Sequence, residues 1–396
     1  MEAPYARDRP APLRLLLAAI ACLAVLAPWW LAREEAGASF PGFVLPSPLS
    51  RGGAAPFFAS GEINPGSPER KAHCGTLAEM DDGTLVAAWY AGSGEGARDV
   101  AIKSATRSAD GVWSAARTLF DRESVAASMQ RHVVSLGNPL LFSGREGKLG
   151  LLFVTIAAGK WSGSSINLSW SPDAGANWSA PEKLTLNPLA NLSALPRNPP
   201  LALAGGGWAV PIYEEFLGRF PEILWLRPED TARLAAVSRM DDGMSVFQPS
   251  VVPLSRNGAL AFYRDDSGAG RVFLSRSADG GRTWGARGVS DLPNVDSGVC
   301  ALRLPDGRLL CAVNDSTGRK RENLRLALSP DDGKSWRYIA TLAAERGGDF
   351  SYPYMILGRD GRVRMLYSAR HNRMVFAEFN TAWIDAQAAA GWEVRP

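Results

Sequence analysis

Histidine and cysteine are scarce in this chain of 396 residues, at three and four, and their spacing excludes more than their number does. No Cys-x-x-Cys and no His-x-x-x-His occurs, so a transition-metal site has no ligand set to draw on, and no metal is expected. Neither a Gly-x-Gly-x-x-Gly nor a P-loop pattern is present, which removes the usual nucleotide cradles and leaves no cofactor implied. Charge of one sign is lacking too. With 43 Lys and Arg against 40 Asp and Glu, the net charge of +3 and the absence of a basic stripe argue against a nucleic-acid partner.

What is present begins with an asymmetric N-terminus. Arg7, Arg9 and Arg14 precede an apolar run over residues 15–32, closed by Arg33, Glu34 and Glu35. The run reaches the roughly 18 residues that mark a spanning helix, and Trp29 and Trp30 stand where an interfacial belt belongs. Three Arg ahead of it predict residues 1–14 in the cytoplasm, a single-pass signal anchor over 15–32, and the body on the extracytoplasmic (periplasmic) side of the membrane. A cleaved signal peptide is the competing reading; Cys22 follows Ala19-Ile20-Ala21, a poor lipobox. Residues 33–68, rich in Pro and Gly, read as a linker, and the body is expected over residues 69–396.

The body repeats itself. Ser-x-Asp-x-Gly-x-x-Trp occurs at Ser171 to Trp178, Ser277 to Trp284 and Ser329 to Trp336, with a worn copy, Asp110-Gly111-Val112-Trp113. Asp and Gly suit a tight turn between strands, and the Trp packs beside it, so the box is a folding device. The tryptophans stand 65, 106 and 52 residues apart, which puts a decayed copy near residue 231. A unit of about 50 residues is four short strands, one blade of a β-propeller. Second turns at Asp82-Gly83, Asn257-Gly258, Asp306-Gly307 and Asp360-Gly361 support this. The expectation is an all-β, six-bladed propeller, or seven blades if some are short. Cys300 and Cys311 flank the Asp306-Gly307 turn; with those two residues as the loop, Cys300 faces Val313 and Cys311 is its diagonal neighbour, which leaves both a disulfide and two buried thiols open.

These boxes resemble the aspartic-box repeats of the sialidase superfamily, over most of the body. The resemblance implies three Arg that clamp a sugar carboxylate, an Asp acid, and a Tyr nucleophile assisted by a Glu. Carried over by position, His73 stands where the first Arg belongs, in His73-Cys74-Gly75-Thr76-Leu77. Asp99, in Glu95-Gly96-Ala97-Arg98-Asp99-Val100, matches the acid. In Phe247-Gln248-Pro249-Ser250 the Glu position holds Gln248, and Arg264 matches the second clamp Arg. Arg321 matches the third, with Arg319 a rival, and Tyr352 in Phe350-Ser351-Tyr352-Pro353 matches the nucleophile. Glu214, in Tyr213-Glu214-Glu215, is a carboxylate from another blade that could replace the missing Glu. Arg131, His132 and His371 are lesser candidates.

The pattern points to a sialidase-like exo-glycosidase acting on terminal acidic sugars of a glycan or polysaccharide. Because one Arg has become His and the Glu has become Gln, two other readings stand beside it. One is a lyase cleaving rhamnose-glucuronate-type linkages with His73 as base; the other is a glycan-binding propeller without catalysis.

Overall fold

The computed structural model of the chain describes residues 11–38, 42–47, 54–144, 147–187, 191–227, 236–316 and 320–391. Six antiparallel sheets stand around one axis, five of four strands and one of five. The innermost strands of the six blades are Lys71–Glu79, Ser135–Ser143, Ala194–Pro196, Val246–Pro253, Cys300–Arg303 and Phe350–Leu357. Each blade then steps outward through short hairpins, as the turn signals require.

The boxes lie between the third and fourth strands, at one end of the barrel, and they work alike. The Ser171 hydroxyl accepts from Gly175 N at 2.8 Å, Asp173 Oδ1 accepts from Asn177 N at 2.7 Å, and Trp178 Nε1 donates to Gly175 O at 3.0 Å. The same bonds recur around Asp279 and Asp331. Each Trp then reaches the preceding blade: Trp178 packs edge-on against Phe120, and Trp336 against Phe262. The boxes thus staple blade to blade. The decayed copy expected near residue 231 falls in 228–235, outside the described residues.

The ring draws on residues ahead of the expected body. Phe58–Glu62 pairs with Arg373–Phe379, from Phe58 opposite Phe379 to Glu62 opposite Val375, and so supplies the outer strand of the sixth blade. Part of the expected linker is also docked. Phe43 is buried, its amide donates to Arg256 O at 2.8 Å, and its ring lies against Gly281 and near Trp225 at the box end.

One expectation finds no support among the described residues, and another changes. A helix covers Ala11–Ala38, but the side chains at 28–38, including Trp29 and Trp30, lie outside the described residues. Among the described residues no helix is long and apolar enough to cross a membrane. The cysteine pairing is decided by loop length. Leu304 N donates to Arg308 O, so the loop is Pro305 to Gly307, one residue longer than assumed. Cys300 therefore faces Ala312 and Ala301 faces Cys311, which puts the two sulfurs on opposite faces of the sheet in separate core clusters. Both are free thiols, and burial pushes Cys300 up to about 11. Reductant should leave the melting temperature unchanged, and Cys74, Cys300 and Cys311 should react with a thiol reagent only after unfolding; a reductant-sensitive melting curve would refute the register.

Candidate functional site

At the end opposite the boxes, four inner strands carry the same irregularity. One extra residue is inserted between His73 and Thr76, Gly137 and Leu140, Phe247 and Ser250, and Ser351 and Tyr354. Each insertion holds a non-glycine residue with positive φ: Cys74, Asn138, Gln248 and Tyr352. Such bulges bend a strand and re-aim its side chains, and left-handed residues of this kind cluster at functional sites. After the bulge, Thr76 Oγ1 and Ser250 Oγ accept from Leu141 N and Ala301 N of the next blade, at 3.0 and 2.9 Å. The amides facing the axis are thereby satisfied.

Tyr352 is the centre of what the bulges gather. Two guanidinium groups lie against its ring, Arg197 at 5.0 Å and Arg321 at 5.5 Å from the centroid. His73 meets it edge-on at 5.5 Å, and His73 in turn lies 6.1 Å from Tyr90 and 5.8 Å from His371. Arg264 donates through Nη1 to Gln248 Oε1 at 3.0 Å and through Nε to Asp296 Oδ1 at 2.9 Å, while Arg321 donates to the Asp296 carbonyl at 2.8 Å. The Tyr213 hydroxyl accepts from Asn138 Nδ2 and Gln248 Nε2, both at 3.2 Å. Gln248 is thus spent on orienting Arg264. Gly298 leaves room here: a Cβ on it would stand 3.3 Å from Gln248 Oε1, 3.4 Å from Tyr352 Cδ1 and 3.7 Å from Arg197 Nη2.

The structure therefore brings together His73, Gln248, Arg264, Arg321 and Tyr352, five positions named from sequence. Burial, with the nearby Lys71 charge, pushes His73 down to about 3, so it is neutral at physiological pH. Burial raises the Tyr352 phenol, and Arg264 and Arg321 oppose that rise.

The carboxylates are arranged differently from the expectation. Asp99 is exposed on the loop over residues 93–100, and its oxygens accept from Ser93 N at 3.0 Å and Ser93 Oγ at 2.8 Å. Glu95, on the same loop, is the residue whose charge adds to the rise at Cys74, Tyr90, Tyr352 and Glu215. On the third blade, the strand Trp208–Glu214 ends with Tyr213 and Glu214 on opposite sides, and Glu215 follows it. Glu215 shares the field of Arg264 and Arg219, and burial raises its pKa against them. Glu214 instead lines a separate cavity of 370 Å³ with Glu222, Phe216 and Met244, where burial and the Glu222 charge push it up to about 8.

Arg131 and His132 are exposed, and the Arg131 charge acts on Lys183 of an outer strand rather than on this cluster. Arg319 lies outside the described residues. Sequence reasoning missed Arg197. Its signal was the dipeptide Asn198-Pro199, which echoes Asn138-Pro139, Gln248-Pro249 and Tyr352-Pro353 at the tops of the other inner strands.

A propeller with this centre has known counterparts. The family described as BNR repeat-like domain matches residues 83–365, and the chain belongs to that family. Among solved structures the fold is similar to the Hadza microbial sialidase Hz136 (TM-score 0.65, 16% identity, 78% of this chain and 65% of that one). It is also similar to the intramolecular trans-sialidase from Ruminococcus gnavus (TM-score 0.65, 13% identity, 85% of this chain and 99% of that one). A protein of unknown function from Dyadobacter fermentans matches at TM-score 0.64 and 16% identity, over 81% of this chain and 97% of its own. The chain thus spans about two thirds of the first and nearly all of the other two. No curated protein matches by sequence. At these identities the neighbours establish the fold, a sialidase-like propeller.

The raised Glu214 has a measurable sign. Its folded pKa of about 8 lies above the unfolded value of 4.5, so the folded state holds the extra proton between those limits, and stability falls as pH rises through that window. Glu214→Gln should therefore raise the melting temperature at pH 8 relative to the parent and leave it nearly unchanged at pH 4. Equal melting temperatures at pH 8 would place Glu214 in water.

Proposed function

We propose that the chain is a glycan-acting enzyme that removes a terminal acidic sugar, with Arg264 and Arg321 holding the sugar carboxylate and Tyr352 as nucleophile. The observation that carries this reading is the convergence of guanidinium groups on one half-buried tyrosine at the mouth of a sialidase-like propeller. Guanidinium forks match a carboxylate in shape and charge, and they lower the cost of ionising the phenol beside them. In this scheme the Tyr352 phenol releases its proton to water and its oxygen attacks the anomeric carbon as a carboxylic acid on the 93–100 loop, Asp99 or Glu95, protonates the departing oxygen. Water then displaces the tyrosine and returns a proton to the same carboxylate.

A lyase route through His73 is favoured by its contact with Tyr352 and its unpartnered Nδ1. It is disfavoured by the burial that holds His73 near 3, since a base that weak draws a carbon-bound proton poorly. The membrane anchor and the extracytoplasmic location belong to the same proposal, and rest on the apolar run and the arginines before it.

The test incubates the chain from residue 54 onward with sialosides and glucuronate-containing polysaccharides, following released sugar and ultraviolet absorbance together. Released sialic acid is the expected outcome, and Tyr352→Phe should lower it at least about a thousandfold. Of Asp99→Ala and Glu95→Ala, the variant that loses about 10²- to 10⁴-fold identifies the acid. An ultraviolet-absorbing product would replace the hydrolase by the lyase, and silence in both channels would leave a binding module.

A further inference from the structure

We infer that Arg197 of the third blade shares the anion seat of this propeller with Arg264 and Arg321, and that the first-blade position, His73, reads a neutral part of the ligand instead. The inference rests on the acidic-sugar reading of the centre and deepens it, by naming where the acid group lies.

Arg197 is 3% exposed. One of its nitrogens, Nη2, donates to Pro353 O at 2.9 Å, while Nε and Nη1 have no hydrogen-bond partner among the described residues. A cation removed from water with donors unspent is costly to keep, and the cost falls when an anion occupies those donors. Of the neighbouring cations, Arg264 is better provided for. Arg264 has the Asp296 carboxylate and Gln248 Oε1, and Arg321 has the Asp296 carbonyl. Arg197 lies over the ring of Tyr352, and Gly298, where a Cβ would stand 3.7 Å from Arg197 Nη2, keeps space open beside both. Its backbone neighbour Asn198 is fully buried and donates to the carbonyls of Gln248 and Pro249, at 3.1 and 2.9 Å, which fixes the segment against the fourth blade. The arginine is therefore positioned, dry and incompletely bonded.

The first blade presents the opposite chemistry. His73 is 3% exposed and Tyr90 1%, and His73 Nδ1 and the Tyr90 hydroxyl both lack partners among the described residues. Neither carries charge at neutral pH, and His73 touches the edge of the same Tyr352 ring whose face Arg197 covers. A ligand that satisfies both walls is an anion with hydroxyl or amide groups on its far side: a carboxylate sugar, turned so that the carboxylate lies toward the third blade. Orphaned donors and acceptors on two walls select against ligands lacking either half, because each unmatched group stays buried and unpaired.

The experiment reads binding by the chain from residue 54 onward, so it can fail separately from turnover. The ligands are N-acetylneuraminate and glucuronate, with their methyl esters as neutral counterparts; the readouts are the ligand-induced rise in melting temperature and the calorimetric Kd. The parent should be stabilised by at least one acid and not by its ester. Arg197→Met should weaken binding of that acid about 10- to 100-fold, the scale of lost charge-assisted hydrogen bonds, and narrow the gap between acid and ester. Arg197→Lys, which keeps the charge and so the folded baseline, should weaken it about tenfold by losing the fork. His73→Gln should weaken acid and ester by the same factor. Acid binding that survives Arg197→Met, or a parent that binds neither acid, overturns the inference, as does an acid-selective loss in His73→Gln.

Discussion

Everything at the centre of this molecule depends on one insertion repeated in the inner strands. Six strands converging on an axis leave amides with no strand to pair with, and the chain resolves this by adding a left-handed residue in four of them. The insertion frees a hydroxyl one step later to accept from the next blade, as Thr76 and Ser250 do for Leu141 and Ala301. It also turns the side chain just before or at the insertion into the axis, which is how His73, Gln248 and Tyr352 come to share one space. A strained backbone and a reactive centre are here the same feature seen from two sides.

The electrostatic layout follows. Three arginines enter from the third, fourth and fifth blades, a neutral histidine and tyrosine from the first, and a tyrosine from the sixth stands between them. Gln248 cannot serve as a base, yet its amide is well employed: it accepts from Arg264 and donates to Tyr213, and a carboxylate in its place could accept from Arg264 but could not donate to Tyr213. Carboxylates reach the mouth from loops instead, Glu95 from the first blade and Glu215 from the third.

The fold was legible because its signals are local. A box of eight residues carries its own hydrogen bonds, so Ser171, Asp173 and Trp178 announce a turn whatever surrounds them, and their period announces the ring. The site was legible only in part. Residues that match a known pattern, such as Arg264 and Tyr352, were found by position. Arg197 was not, because it lies in an irregular stretch between prolines and its meaning comes from Pro353, 156 positions away. Glu214 and Glu215 differ by one residue, and only the observed end of a strand says which faces the axis. The register that set Cys300 opposite Val313 failed on the same margin, a turn one residue longer than its Asp-Gly suggested. The N-terminal linker was read from composition as extended, but Phe43 finds a pocket that no local pattern could show.

The closing strand sets an order on biosynthesis. Phe58–Glu62 is made before any other strand, and its partner Arg373–Phe379 after every other; Phe57 N bonds Asn380 Oδ1 across 323 positions. At about 5–20 residues per second, that first strand waits on the order of tens of seconds for the segment it must pair with. During that interval it offers unpaired amides and carbonyls to any neighbour, including a second nascent copy. The strand is short and bears Gly61 and Glu62, which make it a poor template for such pairing. The same strand that completes the ring thus also fixes when the molecule can first exist: only once its C-terminal partner has left the machinery that makes it.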